Sequence, residues 1–128
     1  MPYVSDSEAL NLPTVTIAEI EHRFGPAPWR QPVVGTDALR VVLISWEPGY
    51  ASVPHVHPRE AEVFHVLLGA AAFRLGAADE VIAGPGTILL APPATLHSIR
   101  VVGEAPLLLI VALAPNDDAS DETIEPSE

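Results

Sequence analysis

The chain contains no cysteine, which excludes disulfide bridges and thiolate metal sites. Because disulfides form mainly in oxidising compartments, this absence is compatible with the cytoplasmic location that we expect. Long apolar runs are also missing, since the longest, Leu107–Ala114, is too short to span a bilayer. The first ten residues include two acids and no apolar run, so we expect no signal peptide. A chain of 128 residues fits one domain with its own apolar core.

Basic charge is scarce in this sequence. Lysine is absent, and six arginines stand against seventeen acidic residues, for a formal net charge of -11. Six of the acids lie in the last thirteen positions, so residues 1–115 carry a net charge of -5. Nucleic acids and anionic membranes attract basic surfaces. We therefore expect neither as a partner, and we expect a small-molecule ligand instead.

A helical repeat of apolar residues is missing too, since no window of ten or more residues shows a 3.6-residue period. Fourteen prolines and eight glycines separate short apolar or alternating runs. Such runs predict an all-β sandwich or barrel. The predicted strands are Thr14–Ile20, Leu39–Trp46, Val53–His57, Glu62–Leu68, Ala71–Leu75, Glu80–Ala83, Thr87–Ala91, Leu96–Val102 and Leu107–Ala114.

The chain divides into three parts. Residues 1–36 hold the N-terminal strand and an extended, proline-rich connection over Gly25–Pro32, and we assign them to the same domain. Residues 37–115 form the predicted barrel. Residues 116–128 are acidic and almost free of apolar side chains, which predicts a flexible tail.

Two histidines occupy one predicted strand at the centre of the chain. Strand side chains alternate between faces, so His55 and His57 point the same way. A shared transition metal ion would give the two imidazoles a common partner. Glu62 opens the next strand, where its carboxylate could fold back beside the pair, and a buried carboxylate needs a compensating charge. His97 follows a proline-rich turn forty residues after His57.

Other readings of these residues stay open, because a lone His-x-His pair is a weak signal. Glu60 could be the ligand in place of Glu62, but the spacing favours Glu62, and we expect Glu60 to be a solvated turn residue. His65 faces away from Glu62 by strand alternation, and His22 lies in a polar segment. We expect neither of these two histidines to bind metal.

The spacing around the candidate ligands resembles the two signature motifs of the cupin superfamily, over about Leu39–Leu113. The first motif matches at all its fixed positions, which are Gly49, His55, His57, Glu62 and Gly69. The second matches at Gly86, Pro92 and His97. It departs at Ala94, where a glycine is expected, and at Val101, where an asparagine is expected.

This resemblance implies a small single-domain cupin with a double-stranded β-helix, a jelly-roll barrel with its site in the mouth. It also implies one divalent transition metal ion, held by His55, His57, Glu62 and His97, with further positions left for water, oxygen or substrate. Ligand type alone does not choose among iron, manganese, nickel, cobalt, copper and zinc.

Strand alternation also predicts a substrate pocket beside the metal. Phe64 shares the face of Glu62, Ile99 shares the face of His97, and Phe73 and Leu75 lie on the matching face of the next strand. Such an apolar lining favours a small ligand that is largely apolar or chelates metal.

These features favour a metal-dependent, oxygenase-like enzyme in which Glu62 or a metal-bound hydroxide acts as the catalytic base. A non-catalytic module that binds or senses a small ligand is the alternative, and a sugar isomerase or epimerase ranks lower. We expect a homodimer, because uncovered sheet edges tend to pair and the predicted strand Thr14–Ile20 could extend a partner's sheet.

Overall fold

The computed structural model describes residues 9–117 and 122–123. Within this part of the chain, ten strands and one short helix follow each other in sequence. Their bounds are α1 (Ile17–Phe24), β1 (Trp29–Gly35), β2 (Arg40–Trp46), β3 (His55–Val56), β4 (Ala61–Leu68), β5 (Ala70–Leu75), β6 (Val81–Ala83), β7 (Ile88–Ala91), β8 (His97–Val102), β9 (Leu107–Ala114) and β10 (Glu122–Thr123).

The strands form two five-stranded antiparallel sheets. Sheet A has the order β1-β2-β9-β4-β7, and sheet B has the order β10-β3-β8-β5-β6. The chain crosses repeatedly from one sheet to the other, as it does between β3 and β4. This arrangement is that of the double-stranded β-helix predicted from the sequence. In the described residues the two sheets stay separate and do not close into one ring of strands.

The core lies between the two sheets and is built by strand alternation. On β2, Val42, Ile44 and Trp46 point inward, and they pack with Leu109 of β9 and Phe73 of β5 in one buried cluster. Burying one large apolar side chain contributes roughly 1.5–3 kcal/mol. This core therefore fixes the position of one sheet relative to the other. Polar residues of both sheets, His55 and His97 of sheet B and Glu62 of sheet A, come together at one end.

The N-terminal strand predicted at Thr14–Ile20 is wrong, because this segment begins helix α1. Thr16 caps the helix, with its hydroxyl oxygen accepting from the Glu19 N–H at 3.3 Å. Ile20 is buried on the outer face of sheet A, in a cluster with Leu43 and Leu108. No helix in the described residues is long and apolar enough to cross a membrane.

The extended connection predicted over Gly25–Pro32 is only partly correct. Its second half begins β1, which pairs antiparallel with β2 and carries an irregularity between Pro32 and Val34. Pro32 lacks an N–H group and cannot donate to a neighbouring strand, so a proline at this position argues against a strand in the sequence. Strand β1 is the edge of sheet A, which is where a sheet tolerates proline.

Gly69 joins β4 to β5, which lie in opposite sheets. Its φ of 76° lies in the left-handed region, and a Cβ at this position would collide with the carbonyl oxygen of Pro106. Both facts require glycine. This turn carries the chain directly from β4 in sheet A, which holds Glu62, to β5 in sheet B.

The acidic tail predicted at 116–128 lies largely outside the described residues. The N–H of Asp117 donates to Glu60 at 3.0 Å, and its carboxylate pairs with Arg59. Strand β10 pairs with His55 and Val56 of β3. The flexibility of the remaining tail stays a prediction.

Candidate metal centre

The two sheets contribute side chains to one cluster at an end of the sandwich. His55 on β3 lies directly opposite His97 on β8 in sheet B, and His57 follows β3 immediately. Glu62 comes from β4 in sheet A. One potential ligand atom from each of these four residues lies within 4.8 Å of the others. All four residues predicted from the sequence are therefore brought together.

Burial differs among the four residues in a way that gives the cluster an open side. His57, Glu62 and His97 are 7%, 6% and 2% exposed, whereas His55 is half-buried. The His55 ring lies 4.3 Å from the His97 ring and 4.9 Å from the His57 ring, between centroids. The cluster is thus closed toward the core and reaches the surface on the His55 side.

Backbone carbonyls orient two of the imidazoles. Nδ1 of His55 lies 3.1 Å from the Val53 carbonyl oxygen, and Nδ1 of His97 lies 2.9 Å from the Thr95 carbonyl oxygen. A carbonyl oxygen only accepts hydrogen bonds, so each contact requires a proton on Nδ1. In a neutral ring, Nε2 then carries a lone pair, and that lone pair is free to bind a cation.

The inner atoms of the cluster face one another at short distances. Oε1 of Glu62 lies 2.9 Å from Nε2 of His97 and 3.1 Å from Nε2 of His57. Among the described residues, Glu62 Oε1 and His97 Nε2 are buried atoms without a hydrogen-bond partner. Leaving such atoms unsatisfied is costly, and a cation between them would satisfy both. Three imidazoles and one carboxylate fit a divalent transition metal ion.

The charge states of the cluster suit a cation as well. Burial raises the pKa of Glu62, but the imidazoles of His57 and His97 beside it outweigh burial and lower the pKa to about 2. Burial, with His97 close by, lowers the pKa of His55 below its ordinary value of 6.5. At neutral pH the carboxylate is therefore ionised and this imidazole is neutral, which are the forms that bind metal.

A strained turn precedes His97. Ala94 has a φ of 64°, in the left-handed region, at the position where the sequence motif expects glycine. Its N–H donates to the His57 carbonyl oxygen at 2.9 Å. The turn thus links the chain around His57 to the chain around His97, and the strain at Ala94 is the cost of having a side chain there.

The four predicted pocket residues form an apolar layer beside the cluster. Phe64, Phe73 and Ile99 are at most 4% exposed, and Leu75 is partly buried. The Phe64 ring lies 5.4 Å from the Phe73 ring and 5.6 Å from the His97 ring. These contacts keep water away from the buried side of the cluster, and contact with a substrate stays a prediction.

The expectation that Glu60 is a solvated turn residue is wrong. Glu60 is 1% exposed and forms a buried ion pair with Arg40, a residue that sequence reasoning did not single out. The available signal was strand alternation, since Arg40 is in phase with the inward-facing Val42 on β2. His65 and His22 lie outside the cluster, as expected.

Comparisons with known proteins agree with this architecture. Residues 42–113 match the protein-family model described as a cupin domain. The chain is similar to an uncharacterized conserved protein with a double-stranded beta-helix domain from Klebsiella pneumoniae, at 24% identity and a TM-score of 0.76, over 89% of this chain and 98% of that chain. It is similar to the protein TT1209 from Thermus thermophilus, at 28% identity and a TM-score of 0.69, over 79% and 96%. It is also similar to KdgF from Halomonas sp., at 28% identity and a TM-score of 0.65, over 70% and 82%. No curated protein matches.

Proposed function

This chain belongs to the cupin domain family, and from that premise we propose that it is a metal-dependent enzyme, oxygenase-like in its chemistry. The substrate we propose is a small molecule that is largely apolar or chelates metal. One observation carries the proposal. Glu62 Oε1 and His97 Nε2 are buried 2.9 Å apart without hydrogen-bond partners among the described residues, in a cluster of four metal-ligating side chains.

One divalent transition metal ion would be held by His55, His57, Glu62 and His97. When bound, such an ion supplies Lewis acidity and a template that orients substrate. The protein residues divide the remaining work. The half-buried His55 marks the side from which a small molecule can approach, and the buried Phe64 closes the opposite side.

The electrostatics of Glu62 favour a role as ligand over a role as general base. A base works best when its pKa lies near the working pH, and the pKa of Glu62 is lowered to about 2. We therefore propose that its main contribution is to place negative charge against the cation.

A homodimer is part of the same proposal, although not through the N-terminal segment, which is helical. The outer face of sheet A exposes Val63, Ile88 and Leu90, which are 38%, 66% and 54% exposed. Val63 and Leu90 lie directly opposite each other on β4 and β7. An apolar patch of this kind is suited to contact with a second copy of the chain.

The test is turnover measured together with metal content. The protein is purified anaerobically, loaded in turn with each candidate metal and screened for oxygen consumption with small aromatic and chelating substrates. We expect turnover with at least one metal, loss of turnover in His97→Ala and full turnover in the control His65→Ala. If every metal-loaded preparation binds small ligands but turns none over, the chain is a ligand-binding module and the enzyme proposal fails.

A further inference from the structure

Glu60 is a second buried carboxylate, next to the candidate metal centre. Its side chain is fully buried, and its partner Arg40 is 3% exposed. Arg40 Nε donates to Glu60 Oε2 at 3.1 Å, and Arg40 Nη2 donates to Glu60 Oε1 at 2.7 Å. Two parallel hydrogen bonds of this kind fix the plane of a carboxylate.

The fixed carboxylate faces one of the candidate ligands. Oε1 of Glu60 lies 3.4 Å from Nδ1 of His57, on the side of the ring opposite to Glu62. The backbone N–H of Asp117 donates to Oε2 at 3.0 Å, which adds a further restraint. The carboxylate is therefore held from Arg40 and from Asp117 while it faces His57.

The three imidazoles of the cluster differ in what faces Nδ1. His55 and His97 each place Nδ1 against a neutral backbone carbonyl two residues earlier. His57 places it against a carboxylate, which is a stronger acceptor than a carbonyl. When the N–H of a metal-bound histidine donates to a carboxylate, the carboxylate fixes the orientation of the ring and makes the metal-binding nitrogen more basic.

The register of sheet A explains why Arg40 can reach this position. Arg40 on β2 and Glu62 on β4 both lie directly opposite Leu113 on β9, so both point to the inner face. An inward-facing guanidinium needs an anion. Glu60 supplies it, and the resulting pair brings no net charge to the surroundings of the cluster.

We propose that Glu60 is a positioning residue for the metal centre, and that Arg40 holds it in place. Glu60 keeps the proton of His57 on Nδ1, so that Nε2 is presented to the cation beside Glu62. This inference rests on the proposed metal-binding function. The affinity for metal then depends on Arg40 and Glu60, which lie outside the four proposed ligands.

The experiment measures cobalt and zinc affinity by competition with a chromophoric chelator. The variants are Glu60→Gln and the double variant Arg40→Met/Glu60→Met, which removes both buried charges and keeps similar side-chain volumes. Glu80→Gln is the matched control, because Glu80 pairs with Arg100 in an exposed ion pair. Losing the outer partner of a metal-bound histidine weakens binding about 10- to 100-fold. We expect Glu60→Gln near the lower end, the double variant near the upper end and the control unchanged.

A spectroscopic readout separates positioning from a general loss of structure. In the cobalt-loaded protein, each ligand histidine gives an exchangeable imidazole N–H proton resonance shifted by the metal. We expect Glu60→Gln to move or broaden one of the three resonances and to leave the other two in place. Equal changes in all three, or affinities within twofold of the wild type in both folded variants, would overturn the inference.

Nitrogen-15 NMR of the zinc-loaded wild type tests the inference without a variant. We expect His57 to bind zinc through Nε2 and to keep its proton on Nδ1, and a His57 ring that binds zinc through Nδ1 would overturn the inference even if both variants failed to fold. If the wild type takes up neither cobalt nor zinc, the proposed function fails. Zinc uptake with the metal on Nδ1 of His57 would overturn the Glu60 inference alone.

Discussion

Removing the guanidinium of Arg40 should destabilise the metal-free protein strongly. In Arg40→Met the Glu60 carboxylate, which is 0% exposed, loses two hydrogen bonds and its compensating charge. Breaking a fully buried ion pair by removing one partner costs about 3–5 kcal/mol. The free energy of unfolding of a domain is about 5–15 kcal/mol, so Arg40→Met should lose roughly a fifth of it or more.

An exposed pair in the same protein provides the matched control. Arg100 and Glu80 lie 3.0 Å apart, with side chains 52% and 33% exposed. Exposed pairs contribute up to about 1 kcal/mol, so Arg100→Met should cost no more than that. The double variant Arg40→Met/Glu60→Met should recover most of the stability lost in Arg40→Met, because no unpaired charge remains buried.

The assay is urea denaturation in the presence of a chelator, followed by the fluorescence of Trp29 and Trp46, which are both buried. A loss of stability in Arg40→Met no larger than in Arg100→Met would contradict a large cost of the unpaired Glu60 charge. A double variant no more stable than Arg40→Met would contradict it too, since the cost would then come from lost packing and not from an unpaired charge.

Three further predictions concern the turn, the apolar layer and pH. Ala94→Gly should raise the free energy of unfolding by roughly 0.5–1 kcal/mol, because relief of the left-handed strain exceeds the added flexibility of glycine; no gain in urea denaturation would contradict it. Phe73→Ala should cost about 3–5 kcal/mol and change substrate preference more than metal affinity; loss of metal with preference unchanged would show that Phe73 does not line the substrate pocket. Lowering the pH should release metal, and it should destabilise the metal-free fold in two stages. The first stage lies below about pH 6.5, because the pKa of His55 is lowered on folding. The second lies between about pH 4.5 and pH 2, because the pKa of Glu62 is also lowered on folding. Metal titrations and thermal melts across this range check both signs, and stability that rises as the pH falls would contradict them.

Local patterns carried most of the fold. The strands from β2 onward to β9 were predicted because each has period-two alternation or a short apolar run bounded by proline or glycine. Helix α1 was missed because a stretch of eight residues is too short for a helical period of apolar side chains to show. Strand β1 was missed because Pro32 made the segment resemble a linker.

The candidate centre shows the same division between local and distant information. The four residues of the candidate cluster were predictable because motif spacing encodes them. The burial of Glu60, which lies in the turn before β4, was not predicted, because it depends on Arg40, twenty residues away in strand β2. A turn context favours solvation, and only the register of β2 against β9 shows that Arg40 points inward.

The most direct test of the central claim is the metal content of the purified chain and of its histidine variants by elemental analysis. We predict one divalent transition metal ion per chain in the wild type and in His22→Ala/His65→Ala, which changes two histidines outside the cluster. We predict loss of most of that metal in His55→Ala/His97→Ala, with circular dichroism showing the strands retained. A fully loaded His55→Ala/His97→Ala protein, or a wild type that binds no metal when supplied with each candidate, would contradict the account.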